Sequence, residues 1–64
     1  MQPMYDVVVV PDDGNAFSVM SAVSRALRKK GATDSEVEQY LADSMSGDYD
    51  NLLRVAMKWV KLET

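Results

Sequence analysis

Tyr5-Asp6-Val7-Val8-Val9-Val10-Pro11-Asp12-Asp13-Gly14-Asn15 is the stretch that decides the architecture. The run from Tyr5 to Val10 is β-branched and too short for a helix, and Pro11 cannot donate to a ladder, so it predicts one strand. A turn follows, in which proline presets φ and Gly14 is expected to supply a positive φ. One strand is not a sheet. Its partner must be the C-terminal Val60-Lys61-Leu62-Glu63, which alternates apolar and polar, or the same strand of another subunit.

Between these ends the spacing of apolar residues predicts three helices. The first runs from the N-cap Asn15 to Lys30, because Ala16, Phe17, Val19, Met20, Val23, Ala26 and Leu27 recur at three- and four-residue intervals. Arg28, Lys29 and Lys30 complement the macrodipole in its last turn, and Gly31 provides a left-handed stop. Its other face, Ser18, Ser21, Ser24 and Arg25, is small and polar and lets another backbone come close. The second helix opens on the capping box Thr33-Asp34-Ser35-Glu36, carries the stripe Val37, Tyr40, Leu41 and Met45, and ends at Ser46-Gly47. Asp48 or Asp50 caps a third helix that is apolar around most of its circumference, with Asn51, Arg54, Lys58 and Lys61 confined to one strip. Such a helix is central to the domain or forms one face of an oligomer.

The expected fold is therefore α+β, in the order β-α-α-α with a short C-terminal strand, and residues 1–64 form one small domain. The third helix should pack between the first helix and the strands. The expected core is Val7, Val9, Phe17, Met20, Val23, Leu27, Val37, Leu41, Leu52, Leu53, Ala56 and Val60, and Met45 and Met57 are also read as core. So few residues leave little margin between apolar burial and the entropy of ordering the chain. Self-association is expected: a homodimer in which Tyr5 to Val10 pairs with a strand of the other chain, or in which the apolar excess of the third helix is covered.

With no cysteine and no histidine, the 64 residues contain no disulfide framework, no thiolate or histidine metal site and no histidine base. No P-loop or glycine-rich phosphate cradle is present, and Ser18, Ser21 and Ser24 have no assignable base, so an enzyme, a metal and a cofactor are not expected. No apolar run exceeds Val7 to Val10, and no basic and apolar leader opens the chain, so a cytoplasmic protein without a membrane segment is expected.

The net charge of −3 is distributed in blocks. Asp6, Asp12 and Asp13 lie before the cluster Arg25, Arg28, Lys29 and Lys30. Asp34, Glu36, Glu38, Asp43, Asp48 and Asp50 come next, and Arg54, Lys58 and Lys61 follow against Glu63. Asp43, Asp48 and Asp50 read as helix caps and a solvated residue, not as a cation site. Calcium-loop spacing from Asp12 fails at Val23. Nucleic acid is not the expected partner, because the total charge is negative and Asp48 and Asp50 occupy the start of what would be the recognition helix. A mononucleotide asks for less. It needs one or two arginines and an aromatic wall, and Arg25 and Arg54 are the candidates for its phosphate.

Gly14-Asn15-Ala16-Phe17, Val23-Ser24-Arg25-Ala26-Leu27 and Ser46-Gly47-Asp48-Tyr49-Asp50-Asn51-Leu52-Leu53 leading to Met57-Lys58-Trp59-Val60 resemble a group of small uncharacterised proteins of bacteriophages and prophages. The likeness spans residues 5–63 and implies a mobile-element origin and a bacterial cytoplasm. It transfers no catalytic residue. The expected function is a non-enzymatic accessory protein that acts as an interaction module on a host protein. Tyr40, Tyr49, Met57 and Trp59 are expected as anchors, and the second helix presents Asp34, Glu36, Glu38 and Asp43 to steer a basic partner. The alternative is an oligomer that binds or sequesters a nucleotide through Arg25 and Arg54. A flat acidic face favours the first reading, and a basic concave interface favours the second.

Overall fold

The computed structural model describes residues 3–63. Its elements are β1 (Val8–Val9), α1 (Ala16–Lys29), α2 (Asp34–Ser44), α3 (Tyr49–Trp59) and β2 (Lys61–Leu62), the expected α+β order. The two strands pair within the chain and in parallel, Val8 opposite Lys61 and Val9 opposite Leu62. Lys61 N–H donates to the Val7 carbonyl and Glu63 N–H to the Val9 carbonyl, each at 2.9 Å. Parallel pairing requires a crossover, and the three helices together form it.

The segment before β1 is tied down by a different device. A helix leaves its last carbonyls without partners. Here Met4 N–H donates to the Lys58 carbonyl at 3.0 Å and Tyr5 N–H to the Trp59 carbonyl at 2.9 Å, so the N-terminal segment closes the end of α3 before it joins β2. The Tyr5 ring lies nearly parallel to the Trp59 ring (centroids 6.4 Å apart, interplanar angle 7°), and Tyr40 meets Trp59 edge-on (6.2 Å, 71°). Trp59 is thus held between the N-terminal segment and α2.

Caps form as the residue types dictate. Asn15 Oδ1 accepts from Phe17 N–H at 2.8 Å, the Thr33–Glu36 capping box closes in both directions, and Asp48, not Asp50, caps α3 by accepting from Asn51 N–H at 3.0 Å. Gly31 ends α1 at φ 93° and is the only positive-φ residue among those described. Gly14 does not adopt a positive φ, contrary to expectation. Its turn is shaped by Asp13 Oδ1 accepting from Asn15 N–H at 2.8 Å, and the Gly14 carbonyl accepts from the Tyr49 hydroxyl.

The core contains Val9, Met20, Val23, Leu27, Val37, Leu52, Ala56 and Val60 as expected, together with Val19, Tyr40, Val55 and Trp59. Val7, Leu41 and Leu53 are half-buried against it. Phe17 is a correction: it is 75% exposed, because at about 100° per residue it lies roughly a quarter turn from the face made by Val19, Met20, Val23 and Leu27. Met45 and Met57 are also exposed, not core. The apolar excess of α3 is largely covered within the chain, since Leu52, Val55, Ala56 and Trp59 are buried where α3 meets α2, α1 and β2. Among the described residues no helix is long and apolar enough to cross a membrane.

Candidate interaction surfaces

Two surfaces carry the residues that the fold does not use. The first is an open groove of about 1000 Å³ between β1 and α1. Val7 and Val9 turn their backbone groups toward β2, so the alternation of a strand turns the N–H and C=O of Val8 to the opposite edge, where neither has a backbone partner among the described residues. Val8 and Val10 are 53% and 64% exposed. The facing wall is α1, where Ser18, Ser21 and Ala22 are small and Arg25 and Lys29 bring charge.

The charges of this groove are sorted along its length. Asp6 is held below the usual carboxylate range, mainly by its ion pair with Lys61 Nζ at 2.7 Å and less by Lys30, and Lys29 and Lys30 line the groove together with Val7 at the start of β1. At the other end stand Asp12 and Phe17. There Asp13 is also held low, first by the Asn15 N–H and then by Ser18. The groove thus runs from a cationic end to an acidic and apolar end.

The second surface lies on α2 and α3. Tyr49, Leu53 and Met57 recur every four residues and so form a stripe along one side of α3. Tyr49 and Met57 are exposed and Leu53 is half-buried. On α2 the exposed acidic groups are Asp34, Glu38 and Asp43, followed by the exposed Met45 at its end. Asp43 contributes its backbone carbonyl to the α2–α3 turn, accepting from Ser46 Oγ at 2.6 Å and Asn51 Nδ2 at 3.0 Å. Among the described residues no cluster of three acidic side chains is placed to hold a metal ion.

Of the anchors and charges read from the sequence, Glu38 and Tyr49 are on this surface and exposed. Trp59 is not available to a partner: it is 4% exposed, because its ring fills the space between Tyr5 and Tyr40. Tyr40 is fully buried as well. Glu36 is not a free steering charge. Its Oε1 accepts from Thr33 N–H at 2.9 Å and its Oε2 from the Tyr5 hydroxyl at 3.0 Å, and these donors hold its carboxyl below the usual range, the Thr33 N–H contributing most. Arg25 lines the groove, whereas Arg54 is exposed on α3 and is not among the groove residues, so the groove does not bring the two arginines together.

The groove was foreshadowed by the small, polar face Ser18, Ser21, Ser24 and Arg25, but its other wall depends on which edge of β1 receives β2, and that is a tertiary matter. Comparison with protein-family models, with curated proteins and with solved structures finds no match to the chain.

Proposed function

We propose that the chain is a non-enzymatic accessory protein of the phage or prophage kind that acts as an interaction module on a host protein in the bacterial cytoplasm. The observation that supports this reading is the stripe of Tyr49, Leu53 and Met57 on α3, whose exposed members lie outside the core. The acidic groups of α2 add charge to the same helical pair. Apolar anchors of this kind gain their energy by leaving water in a partner's pocket, at about 25 cal/mol per Å² buried. Acidic neighbours raise the rate of encounter with a basic partner and add salt dependence.

The test is affinity capture from bacterial lysate with the full chain, followed by purified binding to the protein recovered. Met57→Asp should abolish capture, and Glu38→Lys should slow association and flatten its salt dependence, while both variants melt as the parent does. Capture unchanged in both variants would remove α2 and α3 from the reading.

The cationic end of the β1–α1 groove supports the second reading, a nucleotide-binding protein, since Arg25, Lys29 and Lys30 line a concave surface. Chemical-shift changes at Arg25 and Ser21 on adding a mononucleotide, lost in Arg25→Ala, would favour it over the first.

A further inference from the structure

We infer that the groove between β1 and α1 is filled by a second copy of the chain, the two β1 strands running antiparallel about a two-fold axis. The result is a four-stranded sheet in the order β2-β1-β1-β2. This inference goes beyond the host-protein reading and does not depend on it, because it uses a surface that shares no residue with α2 or α3.

The strand edge is the first argument. A two-stranded sheet with two residues in each strand is below the size at which sheets are stable alone, and its β1 edge offers unpaired backbone groups at Val8 with exposed valines at 8 and 10. Pairing with the same strand satisfies these groups and sets the exposed valines, which lie on the face opposite buried Val9, beside those of the other copy across the joined sheet.

The second argument is the order of charge along the groove. Lys29 and Lys30 line the groove together with Val7, and the short connection from Val10 to Ala16 keeps Phe17 near Asp12, so α1 runs back along β1 with its cationic end toward the start of the strand and Asp12 at the strand's far end. Antiparallel pairing therefore brings Asp12 of each copy toward Lys29 and Lys30 of the other. Parallel pairing would oppose like charges. Across the middle of the groove each copy presents Ser18, Ser21 and Ala22, small enough for two α1 helices to approach beneath the joined sheet. A surface whose two ends carry opposite charge and whose centre is built of small residues is complementary to itself under a two-fold rotation, as an isologous dimer requires.

Light scattering and sedimentation on the full chain at tens of micromolar should give twice the 7.1 kDa of one chain. Val8→Lys and Ser21→Arg each put a charge at the centre of the pairing, on side chains that a single chain leaves exposed. Each should reduce the mass to that of one chain while the far-UV spectrum is unchanged. Asp12→Lys and Lys29→Glu should each weaken the dimer several-fold, since every contact is made twice across the axis, and the double reversal should recover it. A single-chain mass for the parent at hundreds of micromolar overturns the proposal. So does a dimer indifferent to both central variants, or a double reversal no better than the single ones.

Discussion

Tyr40 and Ser44 make the fold's most exposed energetic weakness, although both residues are among its most buried. They lie one turn apart on α2, and neither hydroxyl has a hydrogen-bond partner among the described residues. Ser44 is close enough to offset slightly the upward push that burial gives the Tyr40 phenol, but the two groups do not meet in hydrogen-bonding alignment. An unpartnered buried hydroxyl costs about 1–3 kcal/mol. Tyr40→Phe removes one and keeps the ring, with its edge-on contact to Trp59. The expected gain is about 1 kcal/mol after the lost volume of one oxygen is allowed for. Ser44→Ala removes the other and adds about 0.5 kcal/mol of helix propensity. Together the pair should gain about 2 kcal/mol, against a total of roughly 3–10 kcal/mol for a chain of this length. The assay is urea unfolding at fixed protein concentration, followed by the fluorescence of Trp59, the only tryptophan. The midpoint should rise with the slope unchanged. A loss of 1 kcal/mol or more in Tyr40→Phe, recovered in the double variant, would show that the two hydroxyls bond to each other and would refute the reasoning.

Three further outcomes follow from the caps and charges. Glu36→Lys should lower the melting temperature and Glu38→Lys should leave it nearly unchanged, because only Glu36 closes the capping box and accepts from Tyr5. Acid should destabilise the fold: Asp6, Asp13 and Glu36 have folded pKa values below their unfolded ones, so their contribution is complete above about pH 4 and is lost as pH falls through the folded values. Tyr5 and Tyr40 are shifted upward, so their contribution is complete below about pH 10 and is lost as pH rises through their folded values. A thermal melt across pH should show both limbs, with the acid limb shallower in Glu36→Gln. Gly31→Ala should cost about 1–2 kcal/mol by denaturant unfolding, entirely from its φ of 93°, since an added Cβ meets nothing within 4 Å.

Tyr5 connects these effects. Its N–H closes the end of α3, its ring packs on Trp59, and its hydroxyl reaches the carboxylate that caps α2. The N-terminal segment thereby holds two helix termini in place and delivers β1 to β2 with its far edge open. The same contacts that complete the fold therefore expose the surface on which a second copy can pair.

Local chemistry was legible from the residues alone. A β-branched run ended by proline, a capping box, a last turn of cations before glycine and a C-terminal alternation are interactions within a few residues of each other, so the order β-α-α-α-β and the helix ends could be read directly. Which side of each helix is buried was legible where the apolar stripe was narrow, as at Val19, Met20, Val23 and Leu27. It was not legible where a large apolar residue began or flanked a helix. Phe17, Met45 and Met57 are apolar enough for a core, yet each is exposed, Phe17 because it lies off the buried face of α1, while Tyr40 and Trp59 fill the interior. The fate of Glu36 was equally tertiary: its capping role is local, but Tyr5 reaches it from 31 residues away and removes it from the steering charges. The strand's valines determined that β1 would seek a partner. Only the parallel registration of β2, imposed by the crossover of three helices, decided which of its edges remained free beside the small face of α1.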